Sequence, residues 1–268
     1  MRNPPSEQRA EPRLADRDAP HPTDPDPAGR AAAGAADAPG LEALLAHTVV
    51  VIPAYNEGQV LHGVVAAVCE AFPRVVVVDD GSFDDTAGLL RSLPVSVATH
   101  HINLGQGAAL QTGITAALEQ GARYIVTFDA DGQHRVEDAL AGLRLLADGR
   151  CDAVCGSRFL GLASNIPPLR KLVLKTAVRF TNLTTGARLT DAHNGLRVLS
   201  RRAAACLAIS QSGMAHASEI VAQLAQHRMV VREVPVKVNY TAYSLAKGQS
   251  SLNAVNIVFD LVIGRFLK

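Results

Sequence analysis

Short β-branched runs alternate with stretches of helical period over more than a hundred residues, and no other feature limits the fold as much. Strands are expected at Thr48–Ile52, Arg74–Val78, Val95–Thr99, Tyr124–Phe128 and Ala153–Gly156. Helices are expected between them at Gly58–Phe72, Asp84–Ser92, Gly105–Glu119 and Val136–Leu146. This βαβα order predicts an α/β fold: a mostly parallel sheet with helices on both faces. Beyond Gly156 the rhythm loosens. A basic amphipathic helix is expected at Pro168–Phe180 and a strand at Gly195–Leu199. Helices at Arg201–Ile209 and Ala215–Gln226, a strand at Val230–Val238 and a last amphipathic helix at Ser251–Lys268 follow.

Residues 1–45 break the pattern. They are rich in Pro, Ala, Asp and Arg and almost lack large apolar side chains. They read as a disordered tail, with room for one short helix at Leu41–Ala46. The expected organisation is a tail over 1–45, one domain over 46–250 and a C-terminal helix over 251–268. With 48% hydrophobic residues the rest of the chain can bury a core. The absence of Trp and the low aromatic content argue against a stacking platform for nucleic acid. The four cysteines, Cys69, Cys151, Cys155 and Cys206, show no zinc spacing and read as reduced thiols of a cytoplasmic protein.

Charge is divided unevenly. Residues 47–157 carry a net −7 and residues 158–268 a net +11. An acidic half suits a metal ion; a basic half suits phosphates or an anionic membrane. No apolar run reaches the roughly 18 residues of a spanning helix. Any membrane contact is therefore expected to be peripheral, at the inner face.

In an open α/β sheet, functional residues gather at the carboxyl ends of strands. Three such ends here are unusually polar: Pro53-Ala54-Tyr55-Asn56-Glu57, Asp79-Asp80-Gly81-Ser82 and Asp129-Ala130-Asp131-Gly132-Gln133-His134. Asp129 and Asp131 alternate along an extended segment and can reach one divalent cation. Mg²⁺ and Mn²⁺ prefer oxygen ligands and often complete their shell with substrate phosphates. Asp-x-Asp is also common in turns, but its place after the strand Tyr-Ile-Val-Thr-Phe favours the cation. Asp79-Asp80 has a plainer reading too, as a turn capping the next helix. No Gly-x-Gly-x-x-Gly follows the first strand, which disfavours a dinucleotide-dependent dehydrogenase.

The order Val-Ile-Pro-Ala-Tyr-Asn-Glu, Val-Val-Asp-Asp-Gly-Ser, Asn-Leu-Gly-Gln-Gly-Ala-Ala and Asp-Ala-Asp-Gly-Gln-His resembles the family 2 glycosyltransferases. The continuation Gly156-Ser157-Arg158-Phe159 and Asp191-Ala-His-Asn-Gly-Leu-Arg197 is similar to the branch of dolichyl-phosphate mannose and glucose synthases. The likeness spans roughly residues 47–250. It implies a GT-A fold and an inverting, metal-dependent transfer of a hexose from a UDP- or GDP-sugar to a polyprenyl phosphate. An acceptor that is a glycan or small molecule, or a non-catalytic nucleotide-sugar-binding protein, remains the alternative.

The same resemblance implies roles. Pro53, Tyr55, Glu57, Asp79 and Asp80 would embrace the nucleoside, and Gly105 and Gly107 would let backbone approach the nucleotide. Asp129, Asp131 and Gln133 would hold Mg²⁺ or Mn²⁺, and His134 would cap the next helix or touch phosphate. Arg158 and Arg197 would grip the donor diphosphate or acceptor phosphate, although either arginine could instead sit in a salt bridge. Glu219 would serve as base or acceptor contact, or merely orient groups, because a phosphate acceptor is already anionic. Lys247 would supply a phosphate-gripping charge where relatives carry Lys in a Gly-x-Ser-Lys segment; Ser251 stands there in this chain.

Two helices complete the expectation. In Pro168–Phe180, Leu169, Leu172, Val173 and Thr176 form a face beside Arg170, Lys171, Lys175 and Arg179. In Ser251–Lys268, Leu252, Val255, Phe259, Val262 and Phe266 form a stripe. Basic amphipathic helices of this kind lie in a membrane interface or pack on their own domain.

Overall fold

The computed structural model describes residues 40–58, 60–160, 168–213 and 215–238. Residues 1–39 of the expected tail, Lys247 and the helix expected at 251–268 lie outside the described residues. Seven strands form one sheet: β1 (Thr48–Ala54), β2 (Val75–Asp79), β3 (Ser96–Thr99), β4 (Tyr124–Thr127), β5 (Ala153–Ser157), β6 (Arg197–Ser200) and β7 (Val231–Pro235). The helices are α1 (Leu41–Ala46), α2 (Leu61–Ala71), α3 (Thr86–Leu90), α4 (Gln106–Glu119), α5 (Val136–Ala147), α6 (Pro168–Thr185), α7 (Arg201–Ala205) and α8 (His216–Gln226). The strand order is β3-β2-β1-β4-β6-β5-β7. Among the described strands only β6 runs against its neighbours, antiparallel to both β4 and β5.

Every residue of β1 is buried, as expected for a central strand covered on both faces. Alternate residues feed two cores. Val50, Ile52, Val75, Val77 and Val126 pack with Leu61 and Val65 of α2, with Phe72 just after it, and with Leu143 and Leu146 of α5. Val49, Val51, Val76, Val78 and Ile125 pack with Leu110 and Ile114 of α4 and Ile220 and Leu224 of α8. The helices on both faces therefore follow from the period-2 alternation of the valine runs.

Several boundaries differ from the sequence expectation. Helix α1 is packed on the sheet: Leu44 is only 5% exposed and its carbonyl accepts from Thr48 Oγ1 at 2.7 Å. Strand β1 continues through Pro53, which pairs with Val78. Its missing N–H falls on the β4 side, where the ladder has already ended at Val51. Helix α7 stops at Ala205, short of Ile209.

This topology brings five adjacent strand ends to one edge: the carboxyl ends of β2, β1, β4 and β5 and the start of β6. On α6, Leu174, Ala177, Val178 and Thr181 are buried. Lys171, Leu172, Lys175, Thr176 and Arg179 face solvent.

Candidate active site

Asp129 and Asp131 stand just past the end of β4. Thr127 Oγ1 donates to the Gly195 carbonyl at 2.7 Å, which draws the loop before β6 against that end. A Cβ at Gly195 would lie 1.9 Å from Asp129 Oδ2, so glycine is what leaves room for the carboxylate. Asp129 is held from two sides. Gln106 Nε2 donates to Oδ1 at 3.1 Å, and His134 Nε2 lies 3.0 Å from Oδ2. Asp131 Oδ1 accepts the Gln133 backbone N–H at 3.0 Å. His134 packs edge-on against Phe128, with ring centroids 5.7 Å apart, and its Nδ1 is buried without a partner.

The two carboxyls titrate apart. Burial works against the Asp129 charge, but the hydrogen bond and charge of His134, helped by Arg197 and His216, hold this carboxyl below the usual range. Burial and then the Asp129 charge push Asp131 up to about 6, with Glu57 adding to the push. A second negative charge beside a fixed one is what a divalent cation relieves. Among the described residues no three His, Cys, Asp or Glu side chains converge as a ready-made metal site. Two carboxylates at a strand end nevertheless fit Mg²⁺ or Mn²⁺, which take one or two protein carboxylates and leave the rest of the shell to phosphates and water.

The other two polar ends are laced together. Asn56 adopts φ 51°; its N–H donates to Ser82 Oγ and its Oδ1 accepts the Phe83 N–H, both at 2.9 Å. Tyr55 meets Phe83 edge to face at 6.3 Å, and the Phe83 ring projects into solvent. Asp79 Oδ1 accepts the Ser82 N–H at 3.1 Å. Tyr55 and Glu57 are half-buried at the mouth, while Pro53 is buried inside β1.

Several of the expected site residues also hold their own chain together. Asp80, only 2% exposed, turns to its own chain. It accepts Leu104 N–H at 2.9 Å and Gly105 N–H at 2.7 Å and pairs with His100 Nδ1 at 2.7 Å. It thus shapes the loop leading into α4. The close approach that Gly105 and Gly107 allow is also internal. A Cβ at 107 would lie 1.9 Å from Gln211 O, and one at 105 would lie 2.4 Å from Ser212 O. Gly105 has φ +93°, which favours glycine independently.

Arg158 forks onto Asp191, Nε to Oδ2 at 2.6 Å and Nη2 to Oδ1 at 2.8 Å. Burial penalises that carboxylate, but the Arg158 fork outweighs it and holds Asp191 below its ordinary range. Glu219 accepts from Ser210 Oγ at 2.6 Å, Ser210 N–H at 3.0 Å and Gln211 N–H at 2.9 Å, so its oxygens are committed to the segment before α8. Of the two expected arginines, Arg197 is the one without a carboxylate. It is 1% exposed, its Nη2 reaches only the Ala192 carbonyl at 3.4 Å, and its Nη1 has no partner.

Gln106, Asp191 and Gly195 carry parts of the site that the sequence reading did not assign. Asp191 and Gly195 lie inside the quoted Asp191–Arg197 segment, so the signal was present. Gln106 lies between two glycines that were read only for backbone approach. Nearby, burial lowers His193 to about 4; its Nε2 meets Ser218 Oγ at 3.2 Å.

Comparison with known proteins adds four findings. Residues 49–207 match the family model described as glycosyl transferase family 2. The chain is 31% identical over 235 residues to the UDP-N-acetylglucosamine–dolichyl-phosphate N-acetylglucosaminyltransferase of Methanococcus voltae, covering 80% of this chain and 94% of that protein. It is also 31% identical over 237 residues to the polyprenol monophosphomannose synthase of Mycolicibacterium smegmatis, covering 84% and 88%. In fold it resembles glucosyl-3-phosphoglycerate synthase of Mycobacterium tuberculosis, solved with Mn²⁺, UDP and glucosyl-3-phosphoglycerate. The TM-score is 0.62 at 17% identity, over 82% of each chain. The sheet described above is the GT-A fold of such enzymes.

Proposed function

The chain belongs to glycosyl transferase family 2, and from that premise we propose that it is an inverting hexosyltransferase, dependent on Mg²⁺ or Mn²⁺, that moves a sugar from UDP- or GDP-hexose to a polyprenyl phosphate at the inner face of the membrane. The observation that carries the reading is the Asp129–Asp131 pair at the end of β4, where Asp129 is fixed by two donors and Asp131 is pushed to about 6.

Asp129, Asp131 and Gln133 would hold the cation, which when bound supplies Lewis-acid neutralisation of the departing diphosphate. Tyr55, Glu57 and Asp79 would line the nucleoside, between loops already clamped by Asn56 and Ser82. Arg197 would meet a phosphate oxygen with its unpartnered Nη1. An acceptor phosphate oxygen would attack the anomeric carbon as the nucleoside diphosphate leaves, which inverts that carbon. No strong base is needed, because a phosphate monoester is already largely ionised at pH 7. Glu219 is therefore free to be spent on its own chain.

Two relatives whose names carry dolichyl-phosphate and polyprenol support the lipid acceptor. So does α6, where Lys171, Lys175 and Arg179 surround the exposed Leu172. No helix among the described residues is long and apolar enough to cross a membrane, so contact through α6 would be peripheral. The test is a screen of UDP- and GDP-hexoses with Mn²⁺ or Mg²⁺, with and without a short polyprenyl phosphate. A solvent-extractable glycolipid is expected from one donor. Sugar transfer to soluble acceptors alone would overturn the lipid assignment.

A further inference from the structure

Between α7 and α8, residues 206–213 form a strap that belongs to no helix or strand and lies against the start of α4. It is tied at every turn. Ala208 N–H donates to Gln223 Oε1 and Ile209 N–H to Gln111 Oε1, both at 2.7 Å. Ser210 and Gln211 bind Glu219 through two N–H groups and one hydroxyl. Gln223 Nε2 adds a contact to Glu219 Oε1 at 3.3 Å. At its far end Ser212 O accepts the Gly107 N–H at 3.3 Å.

The strap's place is sterically defined. Gly105 and Gly107 touch it so closely that a methyl group at either would strike its carbonyls. Gln106 stands between those two glycines, and its amide is the donor to Asp129 Oδ1. A continuous run of contacts thus leads from Glu219 through the strap and Gln106 to Asp129.

We propose that Glu219 is a positioning residue, which acts through the strap and Gln106 to aim Asp129, and that it takes no part in proton transfer. The proposal rests on the reading of Asp129 and Asp131 as the cation-holding pair. Two arguments carry it. The Glu219 carboxylate already accepts from four donors of its own chain, and an acceptor phosphate gives it no proton to remove. In addition, a hydrogen-bond donor behind a ligating carboxylate fixes its orientation, and losing such a partner typically weakens metal binding by about 10- to 100-fold.

The experiment titrates Mn²⁺ into the full chain at saturating UDP, and again at saturating GDP, with free Mn²⁺ read by electron paramagnetic resonance. Glu219→Ala and Gln106→Ala should each weaken Mn²⁺ binding by about tenfold, and the double variant by no more than either alone, because both cut one chain of contacts. Glu219→Gln, which keeps one carbonyl acceptor for the strap, should fall between wild type and Glu219→Ala. It should also leave the shape of the pH profile of kcat/KM unchanged. If Glu219→Ala does not fold, the cycle of Glu219→Gln with Gln106→Ala carries the same comparison. Multiplying losses in the double variant would overturn the proposal. So would unchanged Mn²⁺ affinity in Glu219→Ala or Glu219→Gln with turnover abolished, which would make Glu219 part of the chemistry. A wild-type chain that binds no Mn²⁺ with either nucleotide would instead sink the reading of the carboxylate pair, and this inference with it.

Discussion

Replacing Gly195 by alanine should damage the site far more than the fold. A Cβ there would lie 1.9 Å from Asp129 Oδ2 and 2.4 Å from both Cγ and Oδ1, so the whole carboxyl group must move by more than an ångström. What moves is a side chain at the sheet edge, so the stability cost is that of overpacking, roughly 1–3 kcal/mol. For a domain of this size that corresponds to a fall in Tm of roughly 3–10 °C. The displaced carboxylate loses the His134 contact at 3.0 Å and the Gln106 bond at 3.1 Å. Misplacing a catalytic group by about 1 Å costs on the order of 100-fold in rate. The assay pairs transfer kinetics at saturating Mn²⁺ with thermal melting. Gly63→Ala is the control: this glycine lies in α2, and a Cβ there meets nothing within 4 Å. It should keep full activity and gain slightly in Tm. A folded Gly195→Ala protein with wild-type kcat/KM and Mn²⁺ affinity would refute the placement of Asp129.

Other substitutions separate stability from function in different ways. Burial lowers His193 to about 4, whereas its unfolded value is near 6.5. Between those values the unfolded chain takes up a proton that the folded one refuses, so stability drains as pH falls from about 6.5 to about 4, by up to about 3 kcal/mol. Urea unfolding at pH 7 and pH 5 should show a smaller loss in His193→Gln than in wild type; equal losses would remove His193 as the cause. Arg197→Met takes away a buried guanidinium with an unpartnered Nη1, so Tm should hold or rise while affinity for the nucleotide sugar falls at least tenfold. A large drop in Tm with donor affinity intact would show that the arginine is structural. Neutralising Lys171, Lys175 and Arg179 together should weaken binding to anionic vesicles at low salt, since each cation near such a surface contributes about 1 kcal/mol. Nucleotide affinity should not change, and vesicle binding that survives the triple change would exclude α6 as the contact.

The parts of this molecule legible in the sequence are those fixed by local periodicity. The valine runs of β1 and β2 announce a sheet buried on both faces. The acidic groups after β2 and β4 stand where a parallel sheet exposes its strand ends. What stayed hidden depends on which strand lies beside which. The antiparallel insertion of β6 between β4 and β5 brings Gly195 and Arg197 next to Asp129 and sets Asp191 against Arg158. No periodicity encodes that insertion. Asp80, Arg158 and Glu219 also bind partners more than eight residues away, His100, Asp191 and Ser210, and no local pattern announces those pairings. The case of α6 is different. Sequence alone places Leu172 on an apolar face beside the cations, yet only packing shows that Leu174, Ala177 and Val178 form the buried side and leave Leu172 outside.

The carboxylates after β4 would hold a divalent cation that neutralises the departing diphosphate. The most direct measurement is a crystal structure grown with Mn²⁺ and UDP or GDP, with anomalous data collected at the manganese edge. The account predicts one strong peak within bonding distance of the Asp131 carboxylate, between it and the diphosphate, with Asp129 still held by His134 and Gln106. Nucleotide bound at the site with the manganese elsewhere, or with no manganese at all, would contradict it.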